Sequence, residues 1–85
     1  MHEPIFPKEV TGQVPRITLT GREQLHVEQH RGLIDYTQEH IVLRTRVGPM
    51  RIDGAGLCFR VYTAQEAVIQ GRIDSVSFSA GEVQP

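Results

Sequence analysis

The sequence predicts a small all-β protein, an antiparallel meander of about seven short strands that forms a small rolled sheet or an open barrel. Three observations predict this class. The 85 residues include 22 Val, Ile and Thr but only 11 Ala, Leu and Met, and β-branched side chains favour strands over helices. Eight Gly and five Pro interrupt the chain every few residues, which excludes a helical bundle. Apolar residues also alternate with polar ones in short runs, a pattern typical of half-buried strands.

Six of the predicted strands are short runs in which apolar residues alternate with polar ones. In chain order they hold Ile17 and Leu19; Leu25 and Val27; Ile34 and Tyr36; Ile41, Leu43 and Val47; Met50 and Ile52; and Leu57, Phe59 and Val61. Turn-forming residues follow each run: Gly21-Arg22, His30-Arg31-Gly32, Thr37-Gln38-Glu39, Gly48-Pro49, Gly54-Ala55-Gly56 and Thr63-Ala64-Gln65. Such short gaps permit hairpins, whereas parallel pairing needs a crossover of about a dozen residues. The alternative architecture is a short β-solenoid of stacked rungs.

The seventh predicted strand, 67–78, carries apolar residues in two phases. Ile69 and Ile73 share one face, whereas Val76 and Phe78 fall on the other. A one-residue slip exchanges the faces of a strand, so a β-bulge or bend near Asp74-Ser75 would return Val76 and Phe78 to the core. We therefore expect one long, bent closing strand.

The chain divides into one domain and two tails. Residues 1–15 hold three of the five prolines and no periodicity, which predicts an extended N-terminal tail. Residues 16–78 form the predicted β-domain, and 79–85 form a C-terminal tail. A chain of this length buries only about 60% of its unfolded surface, and open sheet edges invite pairing. We therefore expect a homo-oligomer with strand-to-strand or face-to-face contacts.

Charge and cysteine content favour a soluble protein of a reducing cytoplasm. The formal net charge is −1, so no global field attracts nucleic acid or anionic lipid. Cys58 is the single cysteine and cannot form an internal disulfide. No apolar run approaches the ~20 residues that span a bilayer, and the start MHEPIFPKEV lacks the pattern of a signal peptide.

The most informative polar feature is a predicted patch of four arginines. In the alternating pattern Arg44 and Arg46 share one face of a strand, Arg51 lies on that face of the next strand and Arg60 on the one after. Guanidinium groups suit bidentate contact with carboxylate or phosphate. The four residues, here called the arginine patch, are predicted to dock an acidic segment of a partner protein or anionic lipid headgroups. The alternative is a solvated face with cross-strand Arg–Asp pairing.

No catalytic residue, metal ligand or cofactor is predicted. His26 and His30 are four residues apart, but on a strand His26 faces solvent and His30 falls in a turn, which does not match the helical zinc pattern. Cys58 alternates out of phase with its apolar neighbours and lies beside Arg60 on the outer face. Without a histidine nearby in sequence to act as its base, we interpret it as an inert thiol.

Single-stranded nucleic-acid binding is the alternative function for a small β-domain of this size, beside a generic protein-interaction role. Such domains stack bases on exposed aromatic rings. Tyr62 alone of the five aromatic residues is predicted to lie on the arginine face. One ring and a net charge of −1 give this alternative little support.

A family resemblance covers residues 15–78. It is carried by Pro15-Arg16-Ile17 with Leu19 and Gly21, His30-Arg31-Gly32 before Asp35-Tyr36, Gly48-Pro49-Met50 with Ile52 and Gly54, and the closing Ile69, Gly71, Ile73, Val76 and Phe78. In this order and spacing the chain resembles the YabP/YqfC family of small sporulation proteins. The resemblance implies a sporulation factor made in the mother cell of an endospore-forming bacterium, coupled with a membrane-protein partner of the YqfD type. We therefore expect a non-enzymatic scaffold or adaptor, cytoplasmic or peripheral at the forespore membrane.

Overall fold

A computed structural model describes residues 14–79, which form six antiparallel strands in one open sheet. The strands are β1 Arg16–Thr20, β2 Gln24–Glu28, β3 Leu33–Tyr36, β4 His40–Leu43, β5 Met50–Tyr62 and β6 Glu66–Phe78. Their order across the sheet is β1-β2-β6-β5-β4-β3. The predicted fold class, all-β with antiparallel pairing, is confirmed. Across residues 14–79 there is no helix suited to crossing a bilayer.

Six strands replace the predicted seven because Gly54-Ala55-Gly56 is not a turn. The two runs around it form the single 13-residue strand β5. A Cβ atom on Gly54 would collide with the carbonyl oxygen of Arg72, and one on Gly71 would lie 2.5 Å from the carbonyl oxygen of Gly56. These glycines therefore allow β5 and β6 to approach closely where they bend. Glycine within a strand often marks such a close approach of two backbones.

The predicted bulge in the closing strand is confirmed. Asp53 is opposite Ser75 and Gly54 is opposite Ile73, so Asp74 is the extra residue on β6. The bulge places Val76 opposite Ile52, and Val76 packs against the core. Phe78 reaches the same face, opposite Met50, but remains 42% exposed.

The predicted meander is interrupted between β2 and β3, which are not neighbours in the sheet. Instead of closing a hairpin, Gln29 to Gly32 cross from one side of the sheet to the other. The Gln29 N–H donates to the carbonyl oxygen of Gln65 (2.6 Å), and the Arg31 N–H donates to that of Arg44 (2.7 Å). This segment, residues 29–32, is here called the link. It therefore binds the β5–β6 turn at one point and the end of β4 at another.

This link shows that the sheet is rolled. A straight 13-residue strand is about 40 Å long. Gln65 follows the C-terminal end of β5, and Arg44 lies beside its N-terminal end, since Leu43 pairs with Met50. Yet Gln29 and Arg31, which bond to Gln65 and Arg44, are only two positions apart in the chain, a reach of about 7 Å. β5 and β6 must therefore bend until their two ends approach each other.

The rolled sheet encloses the core between its two halves. Ten apolar side chains are no more than 3% exposed: Leu25, Val27, Ile41, Leu43, Met50, Ile52, Leu57, Ala67, Ile69 and Ile73. They come from four of the six strands, and β1 and β3 remain as open edges. The sequence assigned Val47 to the β4 run, but β4 ends at Leu43 and Val47 is 55% exposed. There the Thr45 hydroxyl donates to the carbonyl oxygen of Gly48 (2.6 Å) and closes a turn.

The predicted tails, 1–15 and 79–85, lie outside the described residues except at positions 14, 15 and 79. The strands within the described part run from Arg16 to Phe78.

Candidate docking surface

All four residues of the arginine patch are exposed. Arg44 follows β4, Arg46 lies in the turn after it, and Arg51 and Arg60 are both on β5. The sequence placed Arg51 and Arg60 on adjacent strands. They are instead nine residues apart on one bent strand, because the turn predicted between them is absent.

Arg44 and Arg51 come together on the outer face of the sheet. Val42 pairs with Arg51 and Leu43 with Met50, so Arg44, next along the chain, is a diagonal neighbour of Arg51. Diagonal neighbours on one face are about 7–8 Å apart, within reach of long side chains. The Arg44 N–H donates to the carbonyl oxygen of Gly32 (2.8 Å), which fixes its backbone beyond the end of β4.

The charge of the arginine patch is partly neutralised at Arg51. Its Nε donates to both carboxylate oxygens of Asp53, at 2.9 and 3.1 Å. This Arg–Asp pair lies along one strand, whereas the sequence suggested pairing across strands. Within residues 14–79, neither Arg44 nor Arg60 has an acidic partner.

Arg31 adds a further exposed cation that the sequence pattern did not assign to the patch. Its N–H donates to the carbonyl oxygen of Arg44 (2.7 Å), so the two backbones are directly joined. Their proximity depends on the crossover between β2 and β3. The local alternation of polar and apolar residues does not predict this crossover.

Tyr62 lies on the inner face and not on the arginine face predicted from alternation. The pairing of Phe59 with Ile69 and of Val61 with Val68 leaves Arg60 as an extra residue, and this bulge reverses the phase of β5. Tyr62 therefore pairs with Ala67, which is fully buried.

The inward turn of Tyr62 completes a row of four rings, His30, Tyr62, Phe59 and Tyr36, here called the aromatic row. Successive ring centroids are 5.0, 5.2 and 5.4 Å apart, spacings typical of favourable ring pairs. The Tyr36 hydroxyl donates to the carbonyl oxygen of Leu57 (3.1 Å). The row thus connects the link, the C-terminal half of β5 and the edge strand β3.

His30 was predicted in a turn with a surface role, but it is only 2% exposed. Its Nδ1 accepts the N–H of Gly32 (3.0 Å), and its Nε2 lies 2.8 Å from the carbonyl oxygen of Thr63. Because Nδ1 is an acceptor and the carbonyl needs a donor, the bonds select the neutral imidazole with its proton on Nε2. His30 therefore anchors the link to the β5–β6 turn.

The two other histidines within residues 14–79, His26 and His40, each lie beside one carboxylate. His26 lies on the outer face, with Nε2 3.4 Å from Glu66 Oε1. His40 Nε2 is 2.8 Å from Asp35 Oδ2, and this hydrogen bond lowers the pKa of Asp35. The described part of the chain contains no group of three residues arranged to hold a metal ion.

Two arginines, Arg22 of the β1–β2 turn and Arg72 of β6, contact the same carboxylate. Arg72 Nε lies 3.1 Å from Asp74 Oδ1, and Arg22 Nη2 lies 3.4 Å from the same oxygen. The hydrogen bond from Arg72 lowers the pKa of Asp74. Cys58 is exposed, as alternation predicted, and pairs in the sheet with Gln70.

Fold and surface together define a small all-β protein with a buried apolar core, exposed arginines and a row of four rings, of which Tyr36 and Tyr62 are exposed. Comparison with known proteins gives its family. The chain belongs to the YabP family, whose sequence model matches residues 11–84. It is 31% identical over 73 residues to "Uncharacterized protein YqfC" of Bacillus subtilis (strain 168), covering 86% of this chain and 78% of that protein. The resemblance to the YabP/YqfC family over residues 15–78 is thereby confirmed.

Proposed function

We propose that the protein is a non-enzymatic sporulation factor, a small β adaptor that works with a membrane-protein partner in the mother cell during endospore formation. Membership of the YabP family supports this proposal, together with the family resemblance that implies a partner of the YqfD type. The adaptor is cytoplasmic and becomes peripheral at the forespore membrane when the partner recruits it. It binds and positions the partner without carrying out a reaction.

The observation that carries the proposal is the exposed, rigidly held position of Arg44. Its backbone is bonded on both sides to the link, through Gly32 and Arg31. Its side chain has no acidic partner within residues 14–79, and Arg51 lies diagonally across the outer face. Cations fixed by ordered backbone lose less conformational freedom when they bind a partner.

The chemistry of the arginine patch favours an acidic protein segment as the bound group. A guanidinium binds a carboxylate through two parallel hydrogen bonds, which gives direction as well as attraction. Arg44 and Arg60 supply such groups at the surface, whereas Arg51 must exchange Asp53 for the partner. Anionic headgroups would offer the same charge but not the same fixed spacing.

Single-stranded nucleic acid is a weaker candidate in this geometry. Stacking on the arginine face requires an aromatic ring there, and Tyr62 was the residue predicted to supply it. Tyr62 instead pairs with Ala67 on the inner face. A salt-dependent affinity for oligonucleotides would restore this candidate, since phosphate contacts weaken strongly with salt.

We also propose that the protein forms a homo-oligomer. β1 and β3 are both open edges, and unpaired edges template association. Sedimentation velocity at micromolar concentration should give a species larger than 9.6 kDa. A stable monomer would exclude the oligomer and leave the adaptor proposal untouched.

The adaptor role is tested in sporulating cells of the host. Deletion of the gene should block spore formation, and a fluorescent fusion should collect at the forespore membrane only when the membrane partner is present. Normal sporulation in the deletion strain would contradict the proposal. Recruitment that persists without the partner would show that lipid or another protein holds the adaptor there.

A further inference from the structure

Of the two open edges of the sheet, the β3 edge is protected against pairing. β3 has only four residues, and its ladder with β4 is irregular between Leu33 and Asp35. The Thr37 N–H donates to the carbonyl oxygen of His40 (2.7 Å), so the N–H of Tyr36, one residue earlier, points away from β4. This outward N–H donates instead to the Asp35 carboxylate (2.9 Å). Short length, a bulge and a charged residue are devices by which natural sheets block their edges.

The β1 edge is unprotected over its central residues. All five residues of β1, Arg16–Thr20, pair with β2 without a register shift. No proline and no charged residue lies between Ile17 and Thr20. Within residues 14–79, β2 is the one strand beside β1, so every second residue of β1 directs its N–H and C=O outward. Such a regular edge is a template for pairing with another chain.

β1 also presents apolar surface at this edge. Ile17 pairs with Val27, and Leu19 pairs with Leu25. Both partners are fully buried, so Ile17 and Leu19 lie on the inner face of the sheet. Leu19 nevertheless remains 49% exposed, because β1 is the last strand on its side. A further strand beside β1 would cover this side chain with a cross-strand neighbour.

β1 is complementary to a second copy of itself. In antiparallel pairing centred on Thr18, Ile17 of each copy lies opposite Leu19 of the other on the inner face, which removes apolar surface from water. Thr18 lies opposite Thr18 on the outer face, a favourable cross-strand pair. Arg16, the one charged residue of β1, lies opposite Thr20, so like charges do not meet. This centre pairs all five residues, whereas a centre at Ile17 or Leu19 pairs only three.

We infer that β1 pairs with β1 of a second copy, antiparallel and centred on Thr18, to form a two-fold dimer. The two six-stranded sheets join into one, with β3 at each end. The same surface is used by both copies, so the assembly closes at two. This inference rests on the proposed homo-oligomer and names its edge, register and size. The arginine patch lies on β4, β5 and the turn between them, outside the paired strands, so the dimer offers a partner two copies of it.

Two matched substitutions on the outer face of β1 test the edge and the register. Thr18→Glu places two carboxylates directly opposite each other and should raise the dimer dissociation constant at least tenfold in sedimentation equilibrium. Thr20→Glu adds the same charge two residues away, opposite Arg16 of the other copy, and should leave this constant equal or lower. A dissociation constant that Thr18→Glu leaves unchanged, or that both substitutions raise equally, would overturn the inference.

Cross-linking tests the same geometry without added charge. In a Cys58→Ser background, Thr18→Cys places two thiols opposite each other and should give a disulfide-linked dimer under mild oxidation. Thr20→Cys, on the same strand and face, places the thiols roughly 13 Å apart along the strands and should stay uncrosslinked. A cross-link in the Thr20→Cys variant but not in the Thr18→Cys variant would show another register and overturn the inference.

Amide hydrogen exchange of the full chain distinguishes the competing occupants of the edge. The outward amides of β1 should become protected as the protein is concentrated. Protection that does not depend on concentration would assign the edge to residues 1–13 of the same chain. Concentration-dependent protection confined to β3 or to residues 74–78 would assign the oligomer to another edge. Either result overturns the β1 dimer, but only a stable monomer excludes the homo-oligomer, and none of these results bears on the adaptor function.

Discussion

Gly71 of β6 lies so close to Gly56 of β5 that a Cβ atom on Gly71 would be 2.5 Å from the Gly56 carbonyl oxygen. Gly71 also has a φ of +129°, and Gly56 a φ of +64°. Both conformations strain residues with side chains. At this contact the long β5–β6 ribbon bends, and the bend lets the two halves of the sheet enclose one core.

The first prediction concerns this contact. Gly71→Ala should lower the free energy of unfolding by about 3 kcal/mol or more, because backbone strain and a clash with backbone atoms add. Gly21→Ala is the matched control, since Gly21 has a φ of +58° but no atom within 4 Å of its Cβ position. It should cost about 1 kcal/mol from strain alone. Urea unfolding measures both, and equal losses would show that the close approach does not govern the fold.

The second prediction concerns the histidine that anchors the link. His30→Ala should lower the free energy of unfolding by about 3 kcal/mol, since it removes a buried ring and leaves the Gly32 N–H and the Thr63 carbonyl without their bonds to it. His26→Ala, on the outer face of β2, should change it by no more than about 0.5 kcal/mol. Thermal or urea unfolding of the two variants measures both changes in the free energy of unfolding. Similar values for the two variants would contradict the anchoring role.

The third prediction concerns the pH dependence of Asp35. His40 lowers the pKa of this carboxyl mainly through a hydrogen bond. A lowered folded-state pKa means that the pair stabilises the fold above the unfolded-state pKa and loses this contribution as the pH falls through the folded-state value. In a carbon-detected NMR titration, His40→Asn should raise the pKa of Asp35 toward its ordinary value.

The Arg72–Asp74 pair is the control for that titration. Arg72→Gln should raise the pKa of Asp74, which Arg72 lowers by hydrogen bonding, and should leave Asp35 unchanged. If Asp35 titrates at its ordinary value in the unsubstituted protein, the His40 hydrogen bond does not form in solution.

Local alternation predicted the elements of the fold well where strands are regular. The inward faces of β2, β4 and the N-terminal part of β5 follow directly from it, and the change of phase before Val76 correctly indicated the bulge at Asp74. The glycines of β5 were misinterpreted as a turn because a turn and a close backbone approach demand the same residue. Only the neighbouring strand, with Gly71, distinguishes the two uses.

The candidate surface was harder to predict because its residues meet through long-range contacts. Alternation correctly predicted that Arg44, Arg51 and Cys58 are exposed. It could not show that Arg31 joins Arg44, since that contact needs the crossover from β2 to β3. It also predicted the wrong face for Tyr62, because the pattern of polar and apolar residues does not indicate the bulge at Arg60.

The fourth prediction tests the central claim, that this protein is an adaptor recruited through the arginine patch. The measurement is co-flotation of the purified chain with vesicles that contain a YqfD-type membrane partner, beside protein-free vesicles with and without anionic lipid. Arg44→Glu with Arg46→Glu should reduce the floated fraction at least tenfold, because reversed charges repel an acidic partner. Arg16→Glu with Arg22→Glu makes the same charge change on β1 and the β1–β2 turn and should leave flotation intact. Full flotation of the Arg44 and Arg46 variant, or equal flotation with partner-free anionic vesicles, would contradict the account.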